Sequence, residues 1–274
     1  MLGQSLGSLI LAYEAISSFV PDIFIDTMGY AFTLPFVSSV LEIPTAAYVH
    51  YPTISTDMLS RVPGISLAKQ MYWRLFALAY GYVCRQIDVL ITNSSWTRQH
   101  MEQLTGRQLS KGEVCVIFPP CDTKRLTDLP LFPREKLIIY IAQFRPEKDH
   151  DTVLKAFSIL LNDSPTERQH DTKLILIGTV RGAQDERRVE ELQERARNLG
   201  IQKHVEFVCD APWPAVVDWL ARGWVGTNAM WNEHFGIGVV EYMAAGLIPV
   251  VHDSGGPKMD IVTDVDGEAT GSCS

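Results

Sequence analysis

The sequence has no run of about 18 apolar residues free of charge, so no segment is expected to cross a bilayer by itself. Residues 1–20 lack the basic start and cleavage site of a secretory signal. Paired cysteines are missing as well: Cys84, Cys115, Cys121, Cys209 and Cys273 are odd in number, with no C-x-x-C pair and no metal-ligand spacing, which favours a reducing compartment and no structural zinc. There is no basic block. A formal charge of −8, with both signs mixed along the chain, leaves no electrostatic footprint for a phosphate polymer, and nucleic acid is not an expected partner. No G-x-G-x-x-G follows an early strand with an acidic residue ~20 positions on, which sets aside a dinucleotide oxidoreductase. Internal repeats and low-complexity tracts are absent.

What is present is the composition of an ordinary globular protein, 46% hydrophobic and 20% charged over 274 residues, enough for one large or two modest domains. Short apolar runs of strand character occur at 22–26, 45–49, 88–93, 114–118, 137–142, 173–178, 205–208 and 247–251. Helical periodicity predicts helices at 5–19, 66–84, 95–104, 152–161, 186–199, 214–221 and 236–245. Strand–helix alternation implies α/β layers with parallel sheets. The proline- and charge-rich stretch 119–136 interrupts it, so residues 1–125 and 137–274 are expected as two Rossmann-like, doubly wound domains with 126–136 as hinge. In the helix from Ser66, Leu67, Met71, Tyr72, Leu75, Phe76, Leu78, Ala79 and Tyr82 cover much of a surface that also carries Lys69 and Arg74. A core helix is the first reading and a membrane-surface helix the second. Asn93-Ser94-Ser95 and Asn162-Asp163-Ser164 match the glycosylation acceptor pattern, which matters only in a secreted chain.

The most informative stretch runs from Trp231 to Gly246, where seven residues separate Glu233 from Glu241. With a helix beginning near Gly236, Glu233 falls in the loop before the N-terminus and Glu241 further along, so the two carboxylates can reach different parts of one ligand. Backbone N–H groups at Phe235, Gly236 and Ile237 would offer donors and partial positive charge to the same ligand. Gln143-Phe-Arg-Pro-Glu-Lys148 follows a strand directly and puts Arg145 and Lys148 at its carboxyl end, where fixed cations can stabilise an anionic group. His50 likewise closes a strand, in the first half of the chain. The glycine turn Ser254-Gly-Gly-Pro-Lys258 lets backbone approach a ligand closely, and a place near the ligand of the Glu233 loop is expected for it. Asp264-Val-Asp266 resembles a D-x-D metal motif but lies in a late loop, and is read as a chance match.

Glu233, Phe235, Gly236 and Glu241 together resemble the E-x7-E signature of retaining GT-B glycosyltransferases in the glycogen-synthase-like, mannosyltransferase-rich family 4 (glycosyl transferases group 1). The resemblance implies that Glu233 and the following backbone hold the donor sugar, that Glu241 binds the nucleotide ribose, and that His50 contacts the transferred sugar across the cleft. Lys148 matches the family's G-R-L-x-P-E-K segment directly; Gln143 stands where the family has arginine, which leaves Arg145 as the substitute.

The wording Tyr48-Val-His-Tyr-Pro-Thr-Ile-Ser-Thr-Asp57, Asn93-Ser-Ser-Trp-Thr, Pro119-Pro-Cys-Asp, Gln143-Phe-Arg-Pro-Glu-Lys and Met230-Trp-Asn-Glu-His-Phe-Gly is similar to one subfamily, the GDP-mannose-dependent α-1,2-mannosyltransferases of N-glycan precursor assembly. That likeness implies a GT-B fold of two facing Rossmann-like domains, both incomplete here. It implies GDP-mannose as donor and the dolichol-diphosphate-linked Man3GlcNAc2 and Man4GlcNAc2 oligosaccharides as acceptors. It further implies retention without a cofactor or essential metal, the cytosolic face of the endoplasmic reticulum membrane as location, and other mannosyltransferases of the pathway as candidate partners. Subfamily members begin with a membrane anchor and a glycine-rich first strand–helix turn and continue past Gly271, so low stability and weak or no turnover are expected of this chain alone. The other readings are a retaining GT-B enzyme with a different nucleotide-sugar donor, and a catalytically silent nucleotide- or partner-binding fragment.

Overall fold

The β-branched and aliphatic runs form two parallel sheets, each in its own compact unit, Met1–Pro119 and Pro120–Ser274. The computed structural model describes residues 2–29, 31–52, 66–106, 114–163 and 171–274. Residues 53–57 of the segment around His50, and Ser164 of the second acceptor triplet, lie outside the described residues.

In the first unit the chain runs through α1 (Leu2–Ser18), β1 (Phe24–Asp26), a 3₁₀ turn (Ala31–Thr33), α2 (Leu34–Val40), β2 (Thr45–Val49), α3 (Leu67–Cys84), β3 (Val89–Thr92), α4 (Ser95–Thr105) and β4 (Val114–Val116). The sheet order is β1-β2-β3-β4, all parallel. Ala47, Val49, Leu90 and Val114, which share one sheet face, join the α3 and α4 residues Phe76, Ala77, Tyr80, Cys84 and Met101 in one core. On the opposite face Ile25, Val89 and Cys115 are exposed, so among the described residues helices cover one side of this sheet. Gly81 of α3 lies so close to the Leu104 backbone that no side chain fits there, which sets how tightly the two helices approach.

The helix from Leu67 packs one side on the core and leaves the other exposed. Phe76, Ala77, Tyr80, Gly81 and Cys84 face the core. Leu67, Met71, Leu75, Leu78 and Tyr82, spaced at helical intervals, stand 61% to 84% exposed on the outside. Asn93 is 5% exposed and the neighbouring Ser94 caps α4 by accepting from the Thr97 amide at 3.0 Å, so the first acceptor triplet is a buried strand–helix turn.

The second unit contains α5 (Lys124–Thr127), β5 (Leu137–Ile141), a 3₁₀ turn (Pro146–Lys148), α6 (His150–Asp163), β6 (Lys173–Gly178), α7 (Ala183–Asn198), β7 (Val205–Cys209), α8 (Trp213–Arg222), β8 (Val225–Asn228), α9 (Ile237–Ala244), β9 (Ile248–Val251), a π turn (Pro257–Ile261) and β10 (Ser272–Cys273). Its sheet order, β10-β9-β8-β5-β6-β7, is that of a doubly wound fold. Tyr140, Leu174 and Leu176 pack on α6 and α7 residues such as Leu154, Phe157 and Leu192, while Ile139, Ile175 and Ile177 pack on α8 and α9 residues such as Leu220 and Tyr242. Helices therefore cover both faces.

Some features differ from expectation. Strands β8 and β10 and the short helices α2 and α5 are absent from the sequence-based reading. The units also divide between Pro119 and Pro120, ahead of the expected hinge at 126–136. The physical reason is that residues 120–136 pack with the second unit: Leu126 is buried in its core, and the Arg134 guanidinium donates to the carbonyls of Leu220 (3.1 Å), Gly223 (2.6 Å) and Ala245, tying this segment to the ends of α8 and α9.

Candidate functional site

A doubly wound sheet opens a crevice where its winding reverses. Here that point lies between β5 and β8, which pair only at Ile138–Val225 and Ile139–Gly226. Beyond Ile139 the strands part, and the Ile141 amide donates instead to the Tyr242 hydroxyl of α9 at 2.7 Å. Gly226 makes this possible, because a side chain there would run into the Tyr242 ring. The loops leaving the carboxyl ends of these two strands, 142–148 and 229–236, carry most of the residues singled out from the sequence.

The structure joins Lys148 and Glu233. The Lys148 ammonium lies 2.6 Å from Glu233 Oε2 and 3.0 Å from Met230 Sδ, with the two charged side chains 21% and 15% exposed. Asn228 Nδ2 donates to the same carboxylate oxygen at 3.5 Å, and its Oδ1 accepts from the Met230 amide at 3.0 Å. The Lys148 backbone is held from below, its carbonyl accepting from the buried Tyr140 hydroxyl. Behind it the His150 ring is fully buried against Tyr140 and Phe144, at centroid distances of 4.9 and 5.2 Å. Burial, reinforced by the Arg188 charge, lowers its pKa to about 4 and keeps it neutral near pH 7.

The Glu233 loop rests on the 254–256 turn. Asn232, at φ 52°, donates its amide to Ser254 Oγ at 2.8 Å, and the Gly256 amide donates to the Glu233 carbonyl at 2.8 Å. Side chains at Gly255 or Gly256 would strike the backbone of 232–235. The glycines of this turn thus permit backbone to approach backbone and fix the height of Glu233; its Lys258 pairs with Asp253 at 2.8 Å. Helix α9 begins after Gly236, at φ 103°, with no side-chain cap, so the Gly236 and Ile237 positions stand at an uncapped helix N-terminus with Phe235 buried beside them. Glu241 lies one turn into α9, half-buried, and burial pushes its carboxyl pKa up. Its negative charge in turn adds to the upward shift that burial imposes on the Cys121 thiol, which places Cys121 of the Pro119-Pro-Cys-Asp segment near this carboxylate.

Arg145 is the N-cap of the 3₁₀ turn ending in Lys148, yet it lines a separate cavity with the start of α7 that neither Lys148 nor Glu233 lines. His50 sits exposed at the carboxyl end of β2 in the first unit, its ring edge-on to Tyr48 at 4.9 Å. Asp264 and Asp266 flank an exposed turn, and among the described residues no group of three or more His, Cys, Asp or Glu could hold a metal ion. Sequence reasoning missed Asn228, Met230, Tyr140 and Tyr242, which orient the Lys148–Glu233 pair or open the crevice. Only the position of Tyr242 beside Glu241 offered a signal.

This architecture is that of a known family. The family model described as Glycosyl transferases group 1 matches residues 124–273, more than half of the chain. The chain belongs to the glycosyl transferases group 1 family. Residues 1–105 match a second model, ALG11 mannosyltransferase N-terminus. Curated relatives bearing the name GDP-Man:Man(3)GlcNAc(2)-PP-Dol alpha-1,2-mannosyltransferase include proteins from Neurospora crassa, 48% identical over 99% of this chain and 55% of the relative, and Homo sapiens, 44% identical over 99% and 58%. The chain therefore spans about half the length of the curated relatives it matches. Among solved structures, Anabaena HepE in complex with UDP superposes with a TM-score of 0.68 at 18% identity, over 92% of this chain and 66% of that one. A Rickettsia africae glycosyltransferase gives 0.62 at 15%, over 92% and 63%. These likenesses concern the fold alone, which is the GT-B glycosyltransferase fold.

Proposed function

We propose that the chain is the donor-binding part, with some of the acceptor-binding part, of an enzyme that transfers mannose from GDP-mannose in α-1,2 linkage onto dolichol-diphosphate-linked Man3GlcNAc2 and Man4GlcNAc2. The observation that carries this reading is the Lys148–Glu233 pair beside the uncapped start of α9, with Glu241 one turn further on, in a chain 48% identical to a relative of that name. At the winding reversal these groups offer a cation for a diphosphate, a carboxylate for sugar hydroxyls and a second carboxylate for ribose hydroxyls.

In this reaction an acceptor hydroxyl oxygen bonds to the anomeric carbon as the bond from that carbon to the phosphate oxygen breaks, and GDP leaves with the electron pair. The leaving phosphate takes the acceptor proton on the same face, so configuration is retained. Lys148 has three N–H donors and exchanges its contact with Glu233 for the developing phosphate charge, while Glu233 is freed to position the sugar. Glu233 and Glu241 are not a glycosidase pair, because no step needs a carboxylate nucleophile. His50 is proposed as a contact of the transferred sugar. In this reading the reaction needs no metal and no cofactor, since Lys148 and the helix terminus supply the positive charge.

Membrane contact is part of the same reading, because the acceptor is a lipid. No helix among the described residues is long and apolar enough to cross a membrane. The outward stripe of α3, Leu67, Met71, Leu75, Leu78 and Tyr82, with Lys69 and Arg74 exposed on the same helix, has the chemistry to rest on an anionic bilayer surface such as the cytosolic face of the endoplasmic reticulum.

The test is a transfer assay with a trimannosyl dolichol-diphosphate acceptor and a panel of GDP- and UDP-sugars, using the chain and the Lys148→Ala variant. Transfer from GDP-mannose alone, giving a product sensitive to α-1,2-mannosidase and falling about a hundredfold in the variant, is expected. Equal transfer from a UDP-sugar would overturn the donor assignment; bound GDP-mannose without any transfer would favour a silent binding fragment.

A further inference from the structure

On the α6–α7 side of the second sheet, the loop after β5 and the first turns of α7 enclose a cavity of about 570 Å³, within the range of small-ligand sites. Arg145, Arg181, Arg187 and Arg188 all line it. Arg188 is committed, pairing with Asp151 and, at 3.4 Å, with Glu191. The other three guanidinium groups have no carboxylate partner among the described residues. Four guanidinium groups against the three carboxylates of Glu147, Asp185 and Glu191 leave this concavity with a cationic excess in a chain whose formal charge is −8.

The surroundings add to that charge. Helix α7 runs for 16 residues and points its N-terminus into the cavity, and its N-cap Gly182 supplies no capping side chain. The Arg181 amide donates to Asp185 Oδ2 at 2.8 Å, which fixes the turn that carries Arg181. The other acidic side chains of the lining, Glu147 and Glu191, are exposed, and Glu191 is turned to Arg188. Several guanidinium groups converging with a helix N-terminus fit a phosphoryl group better than a carboxylate or a halide, because its three or more oxygens can take paired N–H bonds from more than one guanidinium at once.

We propose that this cavity is a second anion site, for a phosphate or diphosphate group, separate from the place of Lys148 and Glu233. The two places share one backbone element, since the 3₁₀ turn that holds Arg145 toward the cavity ends in Lys148, the partner of Glu233. An anion bound by Arg145 therefore steadies the turn that presents Lys148. The site does not depend on the nature of the transferred sugar.

Calorimetric titration with inorganic pyrophosphate tests this, using the Lys148→Ala background to weaken the first site. Binding that persists in Lys148→Ala and weakens at least about tenfold when Arg181→Gln and Arg187→Gln are added is the expected result, the loss being that of two charge-assisted contacts. Both arginines are exposed, so unchanged circular dichroism is expected and separates lost binding from lost fold. Displacement by GDP would assign the phosphate to a nucleotide and displacement by a short isoprenyl diphosphate to a lipid. Pyrophosphate binding abolished by Lys148→Ala alone, binding unchanged by the paired arginine substitutions, or no binding to the folded chain would each overturn the proposal.

Discussion

Both units alternate parallel strands with helices, yet they differ in winding. The first lays β1 to β4 side by side in chain order with helices on one described face, and its sequence-predicted site residue, His50, stands exposed at a strand end with Tyr48 as its ring neighbour. The second reverses direction between β5 and β8, and there Lys148, Glu233, Asn228 and the start of α9 gather. The difference teaches that a strand end alone presents a residue, whereas a winding reversal builds a crevice around it. Parted strands leave room, loops from both sides enter that room, and a helix terminus faces it.

The sharpest way to break the comparison is at Gly226. A valine there must displace the fully buried Tyr242 ring, losing the contact that replaces the strand ladder at Ile141. Gly226→Val is expected to destabilise the second unit by about 3 kcal/mol, at the upper end of overpacking costs, while leaving the first unit's transition in place. Calorimetric melting of wild type and variant checks this; equal shifts of both transitions would show that the units do not fold separately.

Acid should also separate them. His150 has its folded pKa lowered to about 4 by burial, below the ordinary value of 6.5. Above 6.5 both folded and unfolded forms are neutral and stability is unaffected. As the pH falls below 6.5 the unfolded chain takes up the proton first, so stability is lost progressively until the folded pKa near 4 is passed. The loss is about 3 kcal/mol for the second unit. Urea titrations at pH 7 and pH 4.5 should show it, and a His150→Phe variant, whose ring keeps the packing against Tyr140 and Phe144, should show a flatter dependence.

The smallest effect belongs to the first unit. Ser94→Ala removes the cap of α4 and is expected to cost about 1 kcal/mol there and nothing in the second unit. A hydrogen-exchange comparison of the amides of α4 and α7 resolves the two.

Much of this was legible in the sequence where local chemistry and topology agree. The runs at Leu137–Ile141 and Lys173–Gly178 are aliphatic enough to mark buried parallel strands, and the motif around Glu233 falls, as its place in the alternation suggests, at the winding reversal beside Lys148. Strand β8 was not legible because Gly226, Thr227 and Asn228 read as turn residues. Their choice is dictated by partners distant in sequence, Gly226 by the Tyr242 ring and Asn228 by the Glu233 carboxylate. The different placement of Arg145 and Lys148 was equally hidden. A three-residue separation looks like one cluster, and only the 3₁₀ turn sends one cation to α7 and the other to Glu233. Leu126 and Arg134 looked like linker chemistry because their packing partners lie about ninety residues and more downstream.

Titration of the chain with GDP-mannose and UDP-GlcNAc by calorimetry, beside a Glu241→Ala variant, tests the central claim most directly. Selective binding of GDP-mannose that disappears in the variant is the predicted result. Binding of UDP-GlcNAc with equal strength, or GDP-mannose binding indifferent to the loss of Glu241, would contradict the assignment of the β5–β8 crevice as the donor site.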